Sequence, residues 1–335
     1  MIGVDDYLDF FDHEYISSFI QQGGATIKFC VFADAETGLD RFHQSIQLRA
    51  GDRGYQVVHV DAANSKVQMI EQIFFAIAAQ IDWSHLAGQV ARTAASAAGY
   101  PLPNESENLS VATLAYYYAV DEKELKRDIN QKLQQIIFRD YEMVQEFRIA
   151  MLRLCQYELQ TGQVTDAERD SIHSWLSGTL GQISMLKSAR IFRKIARHNA
   201  RQMLFSLSRW LVVAEFTGLF LTIDIRQFAK HRPSENRDTQ EVFYTRNAIM
   251  DAYESFRQLV DNSDEFSNFA TLVFAAPDFL PDETRGVASY QALKLRISDE
   301  IRDRRRDNPY AALVRLCSRD TRQSRNPLSP PTLEG

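Results

Sequence analysis

Two hydrophobic periods alternate along the chain. Short runs of apolar and β-branched residues occur at Ala25 to Ala33, Tyr55 to Asp61, Gly218 to Asp224 and Asn268 to Ala276. Each has strand length and is bounded by Gly, Asp or Pro. Between them the apolar positions recur at helical spacing. Tyr7 to Gln22 forms one such run and stops at Gly23 and Gly24; Leu39 to Arg49 forms another and stops before Gly51 and Gly54. Val67 to Gln80 puts Ile70, Phe74, Ile77 and Ala78 on one face, and Val242 to Asp261 turns Ala248, Ala252, Phe256, Leu259 and Val260 inward. Strand and helix alternating in this order predict a parallel sheet with right-handed crossovers, an α/β fold.

From Trp83 to Ala214 the period is helical almost throughout. Ala91 to Tyr100 is rich in alanine, Pro101 to Asn104 interrupts, and Asn108 to Tyr118 reads as a short helix. Glu122 to Gln160 carries Leu125, Ile129, Leu133, Ile136, Ile137, Val144, Phe147, Met151 and Leu154 at helical spacing, and Thr165 with Glu168 fits a capping box. The aromatic residues Tyr116, Tyr117, Tyr118, Phe138, Tyr141 and Phe147 are expected in the core of this helical region, with a bound partner or base as the alternative. The predicted organisation is an N-terminal helix over 1–24, the α/β domain in two parts over 25–82 and 215–317, and a large all-helical insertion over 83–214. The tail over 318–335 is rich in Pro, Ser and Arg and is expected to be disordered.

Composition narrows the classes. At 335 residues the chain has room for one large domain with an insertion, or for two domains. Its 45% hydrophobic and 24% charged residues are ordinary for a soluble globular protein. A net charge of -6 argues against a whole-surface nucleic-acid binder and leaves room for a local basic patch. Cys30, Cys155 and Cys317 are far apart and lack metal-ligand spacing, so they are expected to be reduced structural thiols. No basic, apolar signal region and no run of membrane-span length is present, which predicts a cytoplasmic protein.

The strongest chemical signal is Asp224, which closes an unbroken apolar strand at the end where open α/β sheets bind ligands. It looks like the Walker B strand of P-loop NTPases, whose Asp holds magnesium. Ile225 stands where a water-polarising Glu often follows. The loop after the first strand should then be glycine-rich and end in Gly-Lys-Ser/Thr, holding phosphates on backbone N–H groups at a helix N-terminus. Here only Gly38 is present, no lysine follows it, and Asp34, Glu36 and Asp40 would repel a triphosphate. A plain surface loop leading into a helix is the simpler reading. Arg41 is the candidate replacement for the lysine. Charge-assisted hydrogen bonds contribute about 1.5–3 kcal/mol each, so losing two weakens nucleotide binding by roughly a hundredfold or more. The candidate cofactor site is therefore Gly38, Arg41 and Asp224, with Asp224 the candidate metal ligand, and ATP with magnesium binds weakly if at all. No catalytic residue is assigned. His59 and Asp61 are read as structural residues at a strand end. The strand ending at Ala276 carries Ala275 and Ala276 where nucleotide hydrolases place a polar sensor. A basic run at Lys187, Arg190, Arg193, Lys194, Arg197, His198 and Arg201 is spaced so that several share one helical face. It reads as a solvated face or, functionally, as a contact to a nucleic-acid phosphate backbone.

An ordered set of segments carries a resemblance: Trp175 to Gly178, Arg197 to Leu204, Gly218 to Asp224, Arg246 to Ala248, Tyr253 to Asp261, Phe274 to Phe279 and Arg285 to Leu293. Over about residues 25 to 317 the chain resembles the ATP-binding protein family of BREX phage-defence islands, the BrxD type. The resemblance implies an AAA+-like P-loop fold with a helical insertion, in the context of bacterial DNA-based defence. The family pattern has a Gly-Lys-Thr loop, a Glu after the Walker B Asp and a Thr before the Pro-Glu/Asp-Phe turn, and this chain departs from it at all three. The reading is a degenerate subunit that does not hydrolyse ATP and assembles, as a hetero- or homo-oligomer, with a competent partner ATPase or with a nuclease or modification subunit. Arg305 and Arg306, with Arg296, Arg302 and Arg304, are candidates for an arginine finger in trans or a solvated basic helix end. Two alternatives stay open: an active ATPase using Asp224 for magnesium and Arg41 or Lys28 for phosphate, and a DNA-binding adaptor without nucleotide.

Overall fold

The computed structural model describes residues 1–33, 37–102, 109–231, 241–298 and 307–318. A six-stranded, wholly parallel sheet lies between two layers of helices. Its strands are β1 (Ile2–Gly3), β2 (Ala25–Phe32), β3 (Tyr55–Asp61), β4 (Gly218–Asp224), β5 (Phe269–Ala275) and β6 (Leu313–Cys317), in the spatial order β1-β6-β2-β5-β4-β3. From β2 the chain runs out to the β3 edge, returns through β4 and β5, then crosses to β6 on the far side of β2. The α/β parallel sheet expected from the sequence is present, and the arrangement is consistent with a P-loop-like domain.

The strands are apolar on both faces because both faces are covered. Phe29, Val31, Val58, Val60, Leu219, Leu221, Ile223, Phe269 and Val273 point into one core. Cys30, Phe32, Tyr55, Phe220, Leu272 and Phe274 point into the other. The second face is covered by α1 (Val4–Phe11) and α2 (Thr37–Asp52). The first face is covered by α3 (Ile70–Ala78), α9 (Ala200–Val213) and α10 (Arg246–Asp261), while α4 (Trp83–Ala97), α5 (Val111–Tyr118), α6 (Glu122–Phe138), α7 (Gln145–Glu158), α8 (Asp166–Leu176) and α11 (Gln291–Ile297) pack on one another or on these and extend the same core. Helices α4 to α9 lie between β3 and β4 in the chain, and their buried residues join the sheet's first core in one cluster. Of the expected capping box the N-cap half is formed, Thr165 Oγ1 accepting from Glu168 N at 3.2 Å, while the Glu168 carboxylate accepts from Arg153 Nε at 2.6 Å instead of reaching back.

Several expectations are corrected. The N-terminal helix starts at Val4 and continues from Asp12 to Phe19 as a wider π-helix. There the Asp12 carboxylate accepts from Arg49 and Arg53, tying this segment to the end of α2. Arg139 to Val144 divides the long run after Glu122 into α6 and α7. Tyr116 and Tyr117 are exposed rather than core, because α5 turns Val111, Leu114 and Ala115 inward and leaves the next two positions outside; Tyr141 is exposed in the turn between α6 and α7. Phe147 is buried, and Tyr118 and Phe138 are half-buried. Strands β1 and β6 were not anticipated. Cys30, Cys155 and Cys317 are buried and unbridged. Among the described residues no helix is long and apolar enough to cross a membrane. The tail beyond Ser318 lies outside the described residues.

Gly218 starts β4 where two backbones nearly touch. A Cβ built there would sit 2.0 Å from the carbonyl oxygen of Asn268, the group that accepts from Leu219 N at 2.9 Å. The methyl group of Gly218→Ala has no room without breaking the start of the β4–β5 ladder. That substitution should lower unfolding free energy by about 2–4 kcal/mol, read as a shift in the urea midpoint at unchanged slope.

Candidate functional site

Alternation along β4 decides which groups reach the carboxyl edge of the sheet. Leu219, Leu221 and Ile223 face one core, so Thr222 and Asp224 turn to the other, toward α2. The β3–β4 register sets His59 beside Thr222 and Asp61 beside Asp224. Helix α2 buries Leu39, Phe42 and Ile46, and the same face carries His43 onto Thr222.

Asp224 is not left open. The chain turns directly after it, and Arg226 folds back on the carboxylate. Arg226 Nε donates to Oδ2 at 2.9 Å and to Oδ1 at 3.1 Å, Nη2 donates to Oδ2 at 2.6 Å, and the Arg226 backbone N–H donates to Oδ1 at 2.9 Å. This is the bidentate guanidinium–carboxylate geometry, the strongest of the charge-assisted pairs. The aspartate side chain is only 10% exposed and the arginine 34%, so water screens the pair little. Asp40 and Asp61 add their attraction to the same guanidinium.

One layer below, the Thr222 hydroxyl, fully buried, meets two imidazoles. His43 Nε2 is 3.0 Å away and His59 Nδ1 2.9 Å, with the two rings 4.4 Å apart. The hydroxyl also lies 3.4 Å from the Val58 carbonyl, so its one proton goes to that carbonyl or to one imidazole, and it accepts from the remaining ring nitrogens. Burial pulls the His43 pKa down to about 4, with the neighbouring His59 acting the same way and Asp224 opposing. Burial also lowers that of His59.

The remaining candidates are scattered around this edge. Gly38 is half-buried in the first turn of α2, and a Cβ there would meet only Val4 Cγ2 at 3.8 Å, so its backbone is not one that glycine alone can adopt. Arg41 is exposed and faces Asp5 at 3.9 Å. Asp34 and Glu36 lie outside the described residues. Lys28 is excluded as a phosphate ligand: its ammonium donates to the Tyr310 and Ala311 carbonyls at 2.5 and 3.1 Å, ahead of β6, and lies over the Tyr15 ring. Burial lowers its pKa to about 8. Ala275 is buried at the end of β5 with no polar group to offer. These residues do not fit a magnesium nucleotide held in the P-loop manner. The candidate metal ligand, Asp224, is held by an arginine, and the first turn of α2 carries Leu39 and Asp40 after Gly38, with no lysine.

The basic run is also redistributed. Residues 187–199 are not helical, and Arg190 has a left-handed backbone with φ of 60°. Ala189, Ile191 and Ile195 anchor the segment inward. Lys187 and Arg190 are exposed; Arg193 faces Glu146 at 3.5 Å; Lys194 Nζ donates to the Gly181 carbonyl at 2.9 Å. Of the run only Arg201 lies on a helix, α9, and the expected common helical face does not exist. Arg197, His198 and Arg201 do come together, in a cavity described below. Arg296 on α11 pairs with Asp261 at 3.0 Å, whereas Arg302, Arg304, Arg305 and Arg306 lie outside the described residues. Sequence reasoning missed Arg226, Thr222 and His43. The Asp-Ile-Arg spacing, which lets a side chain reach back two residues, was the signal for the first.

Comparison with known proteins adds one match. A family model described as BREX system ATP-binding protein BrxC/D covers residues 107–324, from just before α5 through β4, β5 and β6. No curated protein and no solved structure matches the chain.

The histidine pair makes this corner sensitive to acid. The unfolded chain protonates His43 near 6.5 and the folded chain only near 4, so the unfolded state takes up the proton first as pH falls. Stability is therefore full above about 6.5 and is lost progressively down to about 4. Urea midpoints measured across that window should fall with pH, and should fall less in His43→Gln.

Proposed function

The chain belongs to the BREX system ATP-binding protein BrxC/D family, and from that membership we propose that it is a non-hydrolysing, AAA+-like subunit of a bacterial anti-phage defence complex. Its role is structural or regulatory, exerted on a catalytically competent partner ATPase or on a nuclease or modification subunit acting on DNA.

The observation that carries this reading is the Asp224–Arg226 pair. Magnesium in nucleotide sites needs a carboxylate oxygen free to enter a near-ideal octahedron beside water and phosphate oxygens. Here both oxygens of Asp224 already accept from one guanidinium. Displacing Arg226 would break its hydrogen bonds to both carboxylate oxygens and draw its guanidinium away from Asp40 and Asp61, which attract it as well. Ile225 next to it is buried and cannot polarise water. The departures fall on the phosphate loop, the water-activating position at Ile225 and the sensor strand together, which favours loss of one activity over scattered drift.

Titration of ATP with magnesium into the purified protein, beside an assay of phosphate release, tests the reading. The expected result is no phosphate release above buffer, with Asp224→Asn indistinguishable from wild type. Arg226→Ala, which uncovers the carboxylate, should bind ATP with magnesium more tightly than wild type. Phosphate release by the wild-type protein that disappears in Asp224→Asn would overturn the proposal.

A further inference from the structure

A cavity of about 270 Å³ opens between α3, α9 and α10, lined by Arg197, His198, Arg201, Gln202, Ser255 and Gln258 over an apolar floor of Ile70 and Leu259. Ile70 and Leu259 belong to the core opposite the one that Asp224 faces, and the cavity shares no residue with that site. We propose that this cavity is an anion site that takes one phosphoryl group, with Arg197, His198 and Arg201 as its ligands.

Three features converge on that chemistry. The lining brings together two arginines and a histidine and no carboxylate. Glu254, which is bonded to the lining residue Gln258 from behind, is fully engaged: it accepts from Arg257, from the Tyr290 hydroxyl and from Gln258 Nε2. The hydrogen bonds from Arg257 hold its carboxyl down at about 2, so it stays ionised and committed to those donors.

The arginines, in turn, have capacity to spare. Arg197 and His198 are exposed and make no hydrogen bond or ion pair within the described residues. Arg201 makes one long contact, from Nη1 to Gln258 Oε1 at 3.4 Å, while its Nε is buried with no acceptor. A buried guanidinium N–H without an acceptor is costly, and an anion entering beside it would relieve that cost.

The turn ahead of α9 fixes the geometry. Asn199 spends its side chain inside the turn, Oδ1 accepting from Ala196 N at 2.8 Å and Nδ2 donating to the Lys194 carbonyl at 3.1 Å, so it does not cap the helix. The 14-residue helix α9 therefore starts beside the cavity with its positive end uncapped by a side chain. A phosphoryl group, with its charge and three acceptor oxygens, matches forked guanidinium donors better than a carboxylate or an apolar ligand does. The size agrees: whole organic ligands occupy roughly 300–1,000 Å³, so this cavity suits one phosphoryl group with the rest of its carrier outside.

The carrier is either a free nucleotide or the backbone of DNA, and competition separates them. Inorganic phosphate titrated calorimetrically at millimolar concentrations into the full chain should bind saturably. Arg197→Ala and Arg201→Gln should each weaken that binding by about tenfold or more, the loss expected for one charge-assisted contact. Arg193→Ala, paired to Glu146 and outside the cavity, should leave it unchanged. Displacement of phosphate by a short duplex would identify a DNA backbone; displacement by ATP without magnesium and not by the duplex would identify a free nucleotide. Absence of saturable phosphate binding, or equal affinity in Arg197→Ala, overturns the proposal. Because the Arg197 side chain is exposed, that variant remains informative even if Arg201→Gln fails to fold. Asp224→Asn should bind phosphate like wild type, so failure here and failure of the non-hydrolysing reading are told apart.

Discussion

The constraint on which the rest depends is a parallel sheet covered on both faces. With helices on either side, every residue of β4 and β5 must be buried, and seven consecutive positions in each are. Polar side chains then have three options. They can sit at a strand end, bring partners with them, or, like Thr271 in the middle of β5, stay buried with a hydroxyl unpaired among the described residues. Asp224 takes the first route and Thr222 the second, recruiting His43 from α2 and His59 from β3. The chemistry of the carboxyl edge is thus a by-product of the sheet's burial, and Arg226 closes it by supplying the charge the aspartate would otherwise seek elsewhere.

Much of this was legible in sequence because burial on two faces leaves a blunt signature. Residues 55–61 and 218–224 were bounded to the residue, since each apolar run begins near glycine and ends on a carboxylate. What escaped did so for identifiable reasons. The segment at 187–199 carries Ile191 and Ile195 four apart, which reads as a helix, but Arg190 adopts the left-handed conformation and the chain cannot stay helical through it. The strand Leu313–Cys317 is five residues long with Arg315 at its centre, too short and too polar to stand out. The exposed Tyr116 and Tyr117 were legible after all: the i, i+3, i+4 positions Val111, Leu114 and Ala115 already define the inward face.

The site was less legible than the fold. Sequence alone placed Asp224 at the right end of the right strand, yet its state depends on a contact within three residues that no periodicity encodes. Likewise the basic run was visible as charge, but its division into an anchored lysine, an arginine paired to Glu146 and a converging cluster depends on where the turn before α9 folds. Charge counts say how many cations exist; only the backbone path says which of them still lack a counterion.

One detail at the margin of the sheet bears on how such a chain meets its neighbours. On β3, the last strand of the sheet, the Gln80 side chain donates from Nε2 to the His59 carbonyl at 2.8 Å, and its Oε1 accepts from the His59 backbone N–H at 3.2 Å. A single amide thereby imitates one rung of an adjoining strand. The opposite margin is β1, two residues long. With one border plugged at its middle and the other too short to template pairing, the sheet is a poor seed for growth by strand addition. Contacts in an assembly would fall to the helical faces and their side chains, where they can be made and released without unzipping a backbone ladder.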